Sequence, residues 1–174
     1  MIRRILIKGA CGAGKSTLGA RLASRLELPW IELDSLHHGP NWAAASPAEL
    51  RARVLARLDD ERGWVVDGNY DSKLGTLLLD RAELIVWLDL PLRTKLLRLV
   101  HRTAGRVFRQ EELWNGNRET LRGAFWGSDA LFPWAVRTHF RHRRLWPQTL
   151  ANRTFVRLRS AGEVDAWFSE FCSS

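Results

Sequence analysis

The sequence predicts an α/β fold, a five-stranded parallel sheet with helices on both faces. Three observations predict it. Short β-branched or aromatic runs alternate with segments of helical periodicity, the pattern of successive βαβ units. Two of those runs, Trp64–Val66 and Leu84–Leu88, are apolar throughout, as strands covered on both faces must be. A glycine-rich turn separates the first strand from the first helix, and Ser46 and Ser160 each open a further helical pattern.

The elements follow in order. Ile2–Ile7 is the first strand; its apolar run stops at Lys8, far short of a signal-peptide core. Lys15–Leu26 is a helix with Leu18, Leu22 and Leu26 on one face, and Trp30–Leu33 is a short second strand. Ser46-Pro47-Ala48-Glu49 is a capping box with proline at the first helical position. It predicts a helix with Leu50, Val54, Leu55 and Leu58 inward, ending near Gly63. After Pro91 a helix is expected to about Arg102, then a mobile loop-and-helix insertion over 103–128, rich in Gly, Arg, Asn and Trp. A basic helix over about 129–144, a last strand at Thr154–Leu158 and a capped helix from Ser160 to about Phe171 complete the chain. No linker or repeat divides residues 1–174, so one domain is expected.

Composition narrows the function. Of 174 residues 45% are apolar and 26% charged, which excludes wholesale disorder. No apolar run approaches the roughly 20 residues of a membrane span. The two cysteines, Cys11 and Cys172, make neither a disulfide framework nor a metal spacing, and a reducing cytoplasm fits them. A net charge of +8, almost wholly from arginine, points to an anionic partner, either nucleic acid or a phosphorylated small molecule. Guanidinium groups suit bidentate phosphate contacts.

The chemistry is most legible at Gly9-Ala10-Cys11-Gly12-Ala13-Gly14-Lys15-Ser16, a full match to G-x-x-x-x-G-K-[ST]. It lies between a strand and a helix, as its mechanism requires. Backbone N–H groups can wrap phosphate oxygens there, aided by the helix dipole. Lys15 is expected to reach the β- and γ-phosphates of ATP, Ser16 to ligate Mg²⁺, and Thr17 to contact the α-phosphate.

Ligands of open α/β sheets bind beyond the carboxyl ends of the strands. Asp34 and Asp67 fall at two such ends. Either carboxylate can hold Mg²⁺ or take the proton of an attacking hydroxyl, and either can equally cap a turn. Asp89, before Pro91, reads as a cap for the next helix. His37 and His38 lack partners at metal-ligand spacing. They line an acceptor pocket with Trp42, Asn69 and Tyr70, or pack there as aromatics. Arg98 and Arg102, four apart on one helical face, aim at the phosphate loop; Arg106, Arg109 and Arg118 follow as candidate lid cations.

At these residues the chain resembles the adenylate kinase-like group of P-loop kinases, which includes the shikimate and gluconate kinases. The likeness rests on the phosphate loop, on Asp89-Leu90-Pro91 followed by Arg98 and Arg102, and on the final strand and turn, 156–162. Within the group it is most similar to the bacterial topology-modulation type of kinase. Leu33-Asp34-Ser35-Leu36 with Pro40-Asn41-Trp42, Trp64-Val65-Val66-Asp67-Gly68-Asn69-Tyr70, and Trp114-Asn115-Gly116-Asn117-Arg118-Glu119 carry that likeness. The resemblance implies sheet order 2-3-1-4-5, adenine stacking and phosphate contact for Arg98 and Arg102, and an adenine-side loop at 156–162. True adenylate kinases carry Asp-Gly-Phe-Pro-Arg after the third strand. Asp67-Gly68-Asn69-Tyr70 lacks that proline and the arginine that grips an acceptor nucleotide.

The expected function is ATP- and Mg²⁺-dependent phosphoryl transfer to a small-molecule or nucleotide acceptor. The acceptor side spans about 34–62 and the lid about 103–128. Lys15, Asp34 and Arg102 are the expected catalytic residues. Asp34, Asp67, Asn69, Tyr70 and Arg118 are expected at the acceptor, with Ser16, Asp34 and Asp67 at the metal. Two alternatives are a nucleotide-dependent regulator that binds nucleic acid through Arg137–Arg144, and a plain ATPase.

Overall fold

The computed structural model describes residues 2–120 and 130–173. Its strands are β1 (Arg4–Gly9), β2 (Trp30–Glu32), β3 (Trp64–Asp67), β4 (Leu84–Leu88) and β5 (Phe155–Leu158). All pair in parallel, in the order β2-β3-β1-β4-β5, as the resemblance implies. The helices are α1 (Lys15–Leu26), α2 (Leu33–His37), α3 (Pro47–Leu55), α4 (Asp71–Leu74), α5 (Leu77–Arg81), α6 (Leu92–Arg109), α7 (Leu131–Thr149) and α8 (Ala161–Phe171). Among the described residues no helix is long and apolar enough to cross a membrane.

The strands' period of two sorts the core into two layers. Leu6, Trp64, Val66, Ile85 and Trp87 face one side, where Leu50 and Val54 of α3, Leu77–Leu79 of α5 and Trp146 of α7 cover them. Ile5, Ile7, Val65, Val86 and Leu88 face the other, under Leu18 and Leu22 of α1 and Trp167 and Phe168 of α8. Full burial of a leucine such as Leu22 contributes about 1.5–3 kcal/mol, so the two faces together fix the helices on the sheet.

The structure departs from the sequence reading at several boundaries. Leu33 opens α2 rather than closing β2. α3 stops at Leu55, which is 41% exposed, and further on the carboxylate of Asp59 accepts the Glu61 and Arg62 backbone N–H groups and turns the chain toward β3. α6 continues through Gly105 to Arg109: Leu99 and Thr103, four apart, bury its inner face, and the helix ends where Gln110 turns left-handed at φ 50°. α7 likewise runs past Arg144 to Thr149, carried by the buried Trp146. The predicted capping box of α3 forms in full. At α8 Ser160 caps Glu163, but the Glu163 carboxylate returns to the Arg159 N–H instead. Of the predicted insertion, 121–128 lies outside the described residues, as does the expected helix start at 129.

Candidate functional site

A cavity of about 570 Å³ opens at the carboxyl ends of the strands. Cys11–Leu18 form its floor, Arg98, Arg102 and Arg106 of α6 face them, and Ala161, Val164 and Asp165 close the side beside β5. Glu32, Asp34, Trp42, Trp114 and Glu119 form the opposite end.

The floor is shaped by backbone constraints. Gly12 and Gly14 hold φ of 75° and 95°, the left-handed region that glycine enters without penalty. A Cβ on Gly12 would fall 2.4 Å from the Lys95 carbonyl oxygen of α6. Asn69 ties down the start of the loop: it accepts the Gly9 N–H at 3.3 Å and donates to the Gly9 carbonyl at 2.7 Å. Asn69, expected at the acceptor, thus braces the phosphate loop and does not line the cavity. Gly9 and the buried Ala10 lie behind that lining as well.

Behind Ser16 stands a pair of acids. Its hydroxyl donates to Glu32 at 2.8 Å and lies 3.4 Å from Asp67 Oδ1. Asp67 is 1% exposed, and burial raises its pKa to about 6 against the pull of Lys15 and of the Trp30 indole N–H, 2.8 Å away. Asp34, on α2, reaches the cavity and accepts the Tyr70 hydroxyl at 2.7 Å. Burial, then the Asp34 charge, raises the Tyr70 pKa, so this hydroxyl remains a donor.

Four polar links join the 114–117 turn to Glu32 and to residues 38–42 across the cavity. Asn117 accepts the Trp42 N–H at 2.8 Å and donates to the Gly39 carbonyl at 2.9 Å, while Trp114 donates its indole N–H to Glu32 at 2.6 Å. Asn115 adds a bond to the His38 carbonyl at 2.5 Å. Asn41 and Asn115 each sit at positive φ inside a short 3₁₀ turn, so two similar turns face each other across the opening. On the α6 side Glu119 pairs with Arg106 at 2.7 Å and Arg102 at 3.7 Å.

Other expected residues fall elsewhere. Arg109 and Arg118 are exposed and do not line the cavity. His37 is buried against Tyr70, with its pKa lowered to about 4 by burial and then by Lys73, while His38 packs on Trp42 and Trp114. Asp89 does not cap α6. Its carboxylate, 2% exposed, accepts Arg143 of α7 at 2.8 Å and Arg157 of β5 at 2.6 Å. Burial opposes its charge, yet those two guanidinium groups hold its pKa below the usual range.

Sequence reading missed Glu32, Trp114, Glu119 and Lys8. The position of Glu32, last on β2, was the available signal; Lys8 offered none. Lys8 is 1% exposed, pairs with Asp71 at 2.7 Å, and lies 4.8 Å from the Trp146 ring centroid. Part of the basic stretch in α7 also turns inward. His139 Nδ1 lies 2.5 Å from Lys95 Nζ, and His142 stacks on Trp146 at 3.9 Å.

No protein-family model and no curated protein matches the sequence. Solved structures do match. A shikimate kinase from Bacteroides thetaiotaomicron aligns with TM-score 0.57 and 15% identity over 99% of this chain and 98% of that one. A gluconokinase from Sinorhizobium meliloti 1021 aligns with TM-score 0.53 and 18% identity over 98% and 94%. A deoxyadenosine kinase from M. mycoides, solved with bound dCTP, aligns with TM-score 0.57 and 13% identity over 98% and 100%. With its parallel sheet in the order β2-β3-β1-β4-β5, the chain has the P-loop kinase fold.

Proposed function

We propose that this chain transfers the γ-phosphate of ATP to a hydroxyl group of a small molecule in the cytoplasm. One observation carries the reading: the phosphate loop at the start of α1 faces Arg98, Arg102 and Arg106 across a cavity whose far end holds the carboxylate of Asp34. The loop N–H groups and Lys15 receive the triphosphate, and the α6 arginines meet charge that grows on the transferring group. Asp34 orients the acceptor hydroxyl and takes its proton. Tyr70 fixes that carboxylate by its hydrogen bond.

The Ser16 hydroxyl beside Glu32 and Asp67 fits Mg²⁺, a hard cation held by one or two carboxylates together with substrate phosphates. Bound there, the ion would supply neutralisation of the triphosphate's negative charge. Residues 34–62 serve as the acceptor side of one functional unit, and Arg102 and Arg106 of α6 with the segment 110–120 as its lid side.

Lys15→Ala tests the reading. Phosphoryl transfer is expected to be lost while the unfolding midpoint stays unchanged; transfer at the wild-type rate would refute it. A second reading, nucleotide-dependent nucleic-acid binding, draws on α6 and α7, which contain no acidic residue, and on the exposed Arg141 and Arg144. It requires DNA affinity that falls steeply with salt. A plain ATPase would show ADP release that no added acceptor raises.

A further inference from the structure

We infer that the acceptor is an amino alcohol: a hydroxyl compound that carries a protonated amine. The inference rests on the phosphotransfer reading above and names the acceptor class for that same site.

Five side chains wall the acceptor end of the cavity: Glu32, Asp34, Trp42, Trp114 and Glu119. The two indoles meet at 82°, with centroids 6.5 Å apart, and form an aromatic corner. His38 backs both rings, at 5.3 Å from Trp42 and 5.9 Å from Trp114. Perpendicular indole faces beside carboxylates are the environment that binds an alkylammonium group, through the ring quadrupole and charge-assisted hydrogen bonds. The Trp114 N–H holds one oxygen of Glu32 and the Ser16 hydroxyl the other, while the Tyr70 hydroxyl holds one oxygen of Asp34. Asp34 is therefore fixed in direction with its second oxygen free to accept, and Glu32 belongs to the Ser16 side of the cavity.

The surrounding cations do not offset this charge. Arg53 donates to the Leu36 carbonyl at 2.8 Å, and Lys73 to the Ala45 carbonyl at 2.7 Å. His37 and His38 are held neutral at physiological pH, chiefly by burial. The cations that do line the cavity are Lys15, Arg98, Arg102 and Arg106, from the phosphate loop and α6 where the triphosphate needs them, and Arg21 of α1, which pairs with Asp165 at 2.8 Å. A carboxylate or phosphate on the acceptor would meet Asp34, while Arg102 and Arg106 at that end are held by Glu119. An ammonium meets the Asp34 carboxylate beside the indole pair.

The transfer balances simply. The acceptor oxygen forms a bond to the γ-phosphorus as the bond from that phosphorus to the β–γ bridging oxygen breaks, and the electron pair leaves with ADP. The hydroxyl proton passes to Asp34 and then to water. The ammonium is unchanged and serves only to place the hydroxyl.

The test is an ADP-release assay with ATP and Mg²⁺ over matched acceptors: glucosamine, ethanolamine and 3-aminopropanol against gluconate, shikimate, glucose and glycerol. Products are identified by mass. At least one amine is expected to raise ADP release on the order of tenfold above the acceptor-free rate and to gain one phosphoryl group, with the carboxylates at background. Trp42→Ala is expected to lower kcat/KM for that amine, relative to its neutral alcohol analogue, on the order of tenfold, and Trp42→Phe to restore most of the ratio. Phosphorylation of a carboxylate or neutral alcohol in preference to every amine, or no stimulation by any amine, overturns the inference. A parallel ATP titration separates the two failures. If ATP binds and another acceptor is phosphorylated, only the amine assignment falls; if ATP does not bind, the phosphotransfer reading falls with it.

Discussion

Trp30 donates its indole N–H to Asp67 across 2.8 Å, and both side chains occupy the space that a Cβ on Gly19 would need. A residue at the edge of the sheet thereby orients the acid behind Ser16, and the absent side chain of α1 lets strand and helix close around it.

Asp67 makes stability depend on pH in an unusual direction. Its carboxyl titrates near 6 in the fold against 3.8 unfolded, chiefly through burial. Between those values the folded state holds the extra proton, so stability falls as pH rises through the window. The loss amounts to about 3 kcal/mol once both states are ionised. Urea unfolding from pH 4 to 7 is expected to show the wild type losing about that much relative to Asp67→Asn. Parallel pH profiles would remove Asp67 as the source.

Gly12→Ala places a Cβ 2.4 Å from a backbone oxygen at a φ of 75°. Backbone strain at one residue costs about 1–3 kcal/mol, and the displaced loop is expected to lose ATP affinity as well. Gly14→Ala meets only the tip of Arg98, 3.3 Å away, so its packing penalty is smaller. Thermal unfolding and ATP titration of both variants check the order.

Asp89→Ala leaves Arg143 and Arg157 without their shared anion. Breaking a buried charge pair costs about 3–5 kcal/mol, and the partial exposure of both arginines reduces this to about 2 kcal/mol. The urea midpoint is expected to fall accordingly. Because the folded pKa of Asp89 is depressed, its contribution is present above the unfolded pKa and fades as pH falls through the folded one.

Glu119 pairs with Arg102 and Arg106 of α6, which the proposed triphosphate would also engage. Glu119→Gln is expected to tighten ATP binding about fivefold, the equivalent of about 1 kcal/mol from one released ion pair. Calorimetric titration decides it. Weaker binding would mean that Glu119 holds the lid in shape instead of competing for its charges.

Much of the architecture was legible along the chain because its signals are local. The phosphate loop, the α3 capping box and the apolar runs of β3 and β4 each lie within a few consecutive residues. Strand order came from the family resemblance, since periodicity carries no information on which strands neighbour each other.

Tertiary structure decided what joins distant segments. Asn69 braces Gly9 across 60 positions, Trp114 reaches Glu32 across 82, and Arg143 and Arg157 converge on Asp89 from 54 and 68 away. None of these side chains differs locally from an ordinary polar residue in a turn or helix. Only the packed sheet brings each pair within hydrogen-bonding range, and burial then determines which charges need a partner. The sequence by itself determined the glycine-rich turn between β1 and α1 and the apolar runs that the helices cover. The fold alone set Glu32 beside the expected Asp67 behind Ser16, and Trp114 beside the expected Trp42 at the far end of the cavity, because those contacts join segments distant in the chain.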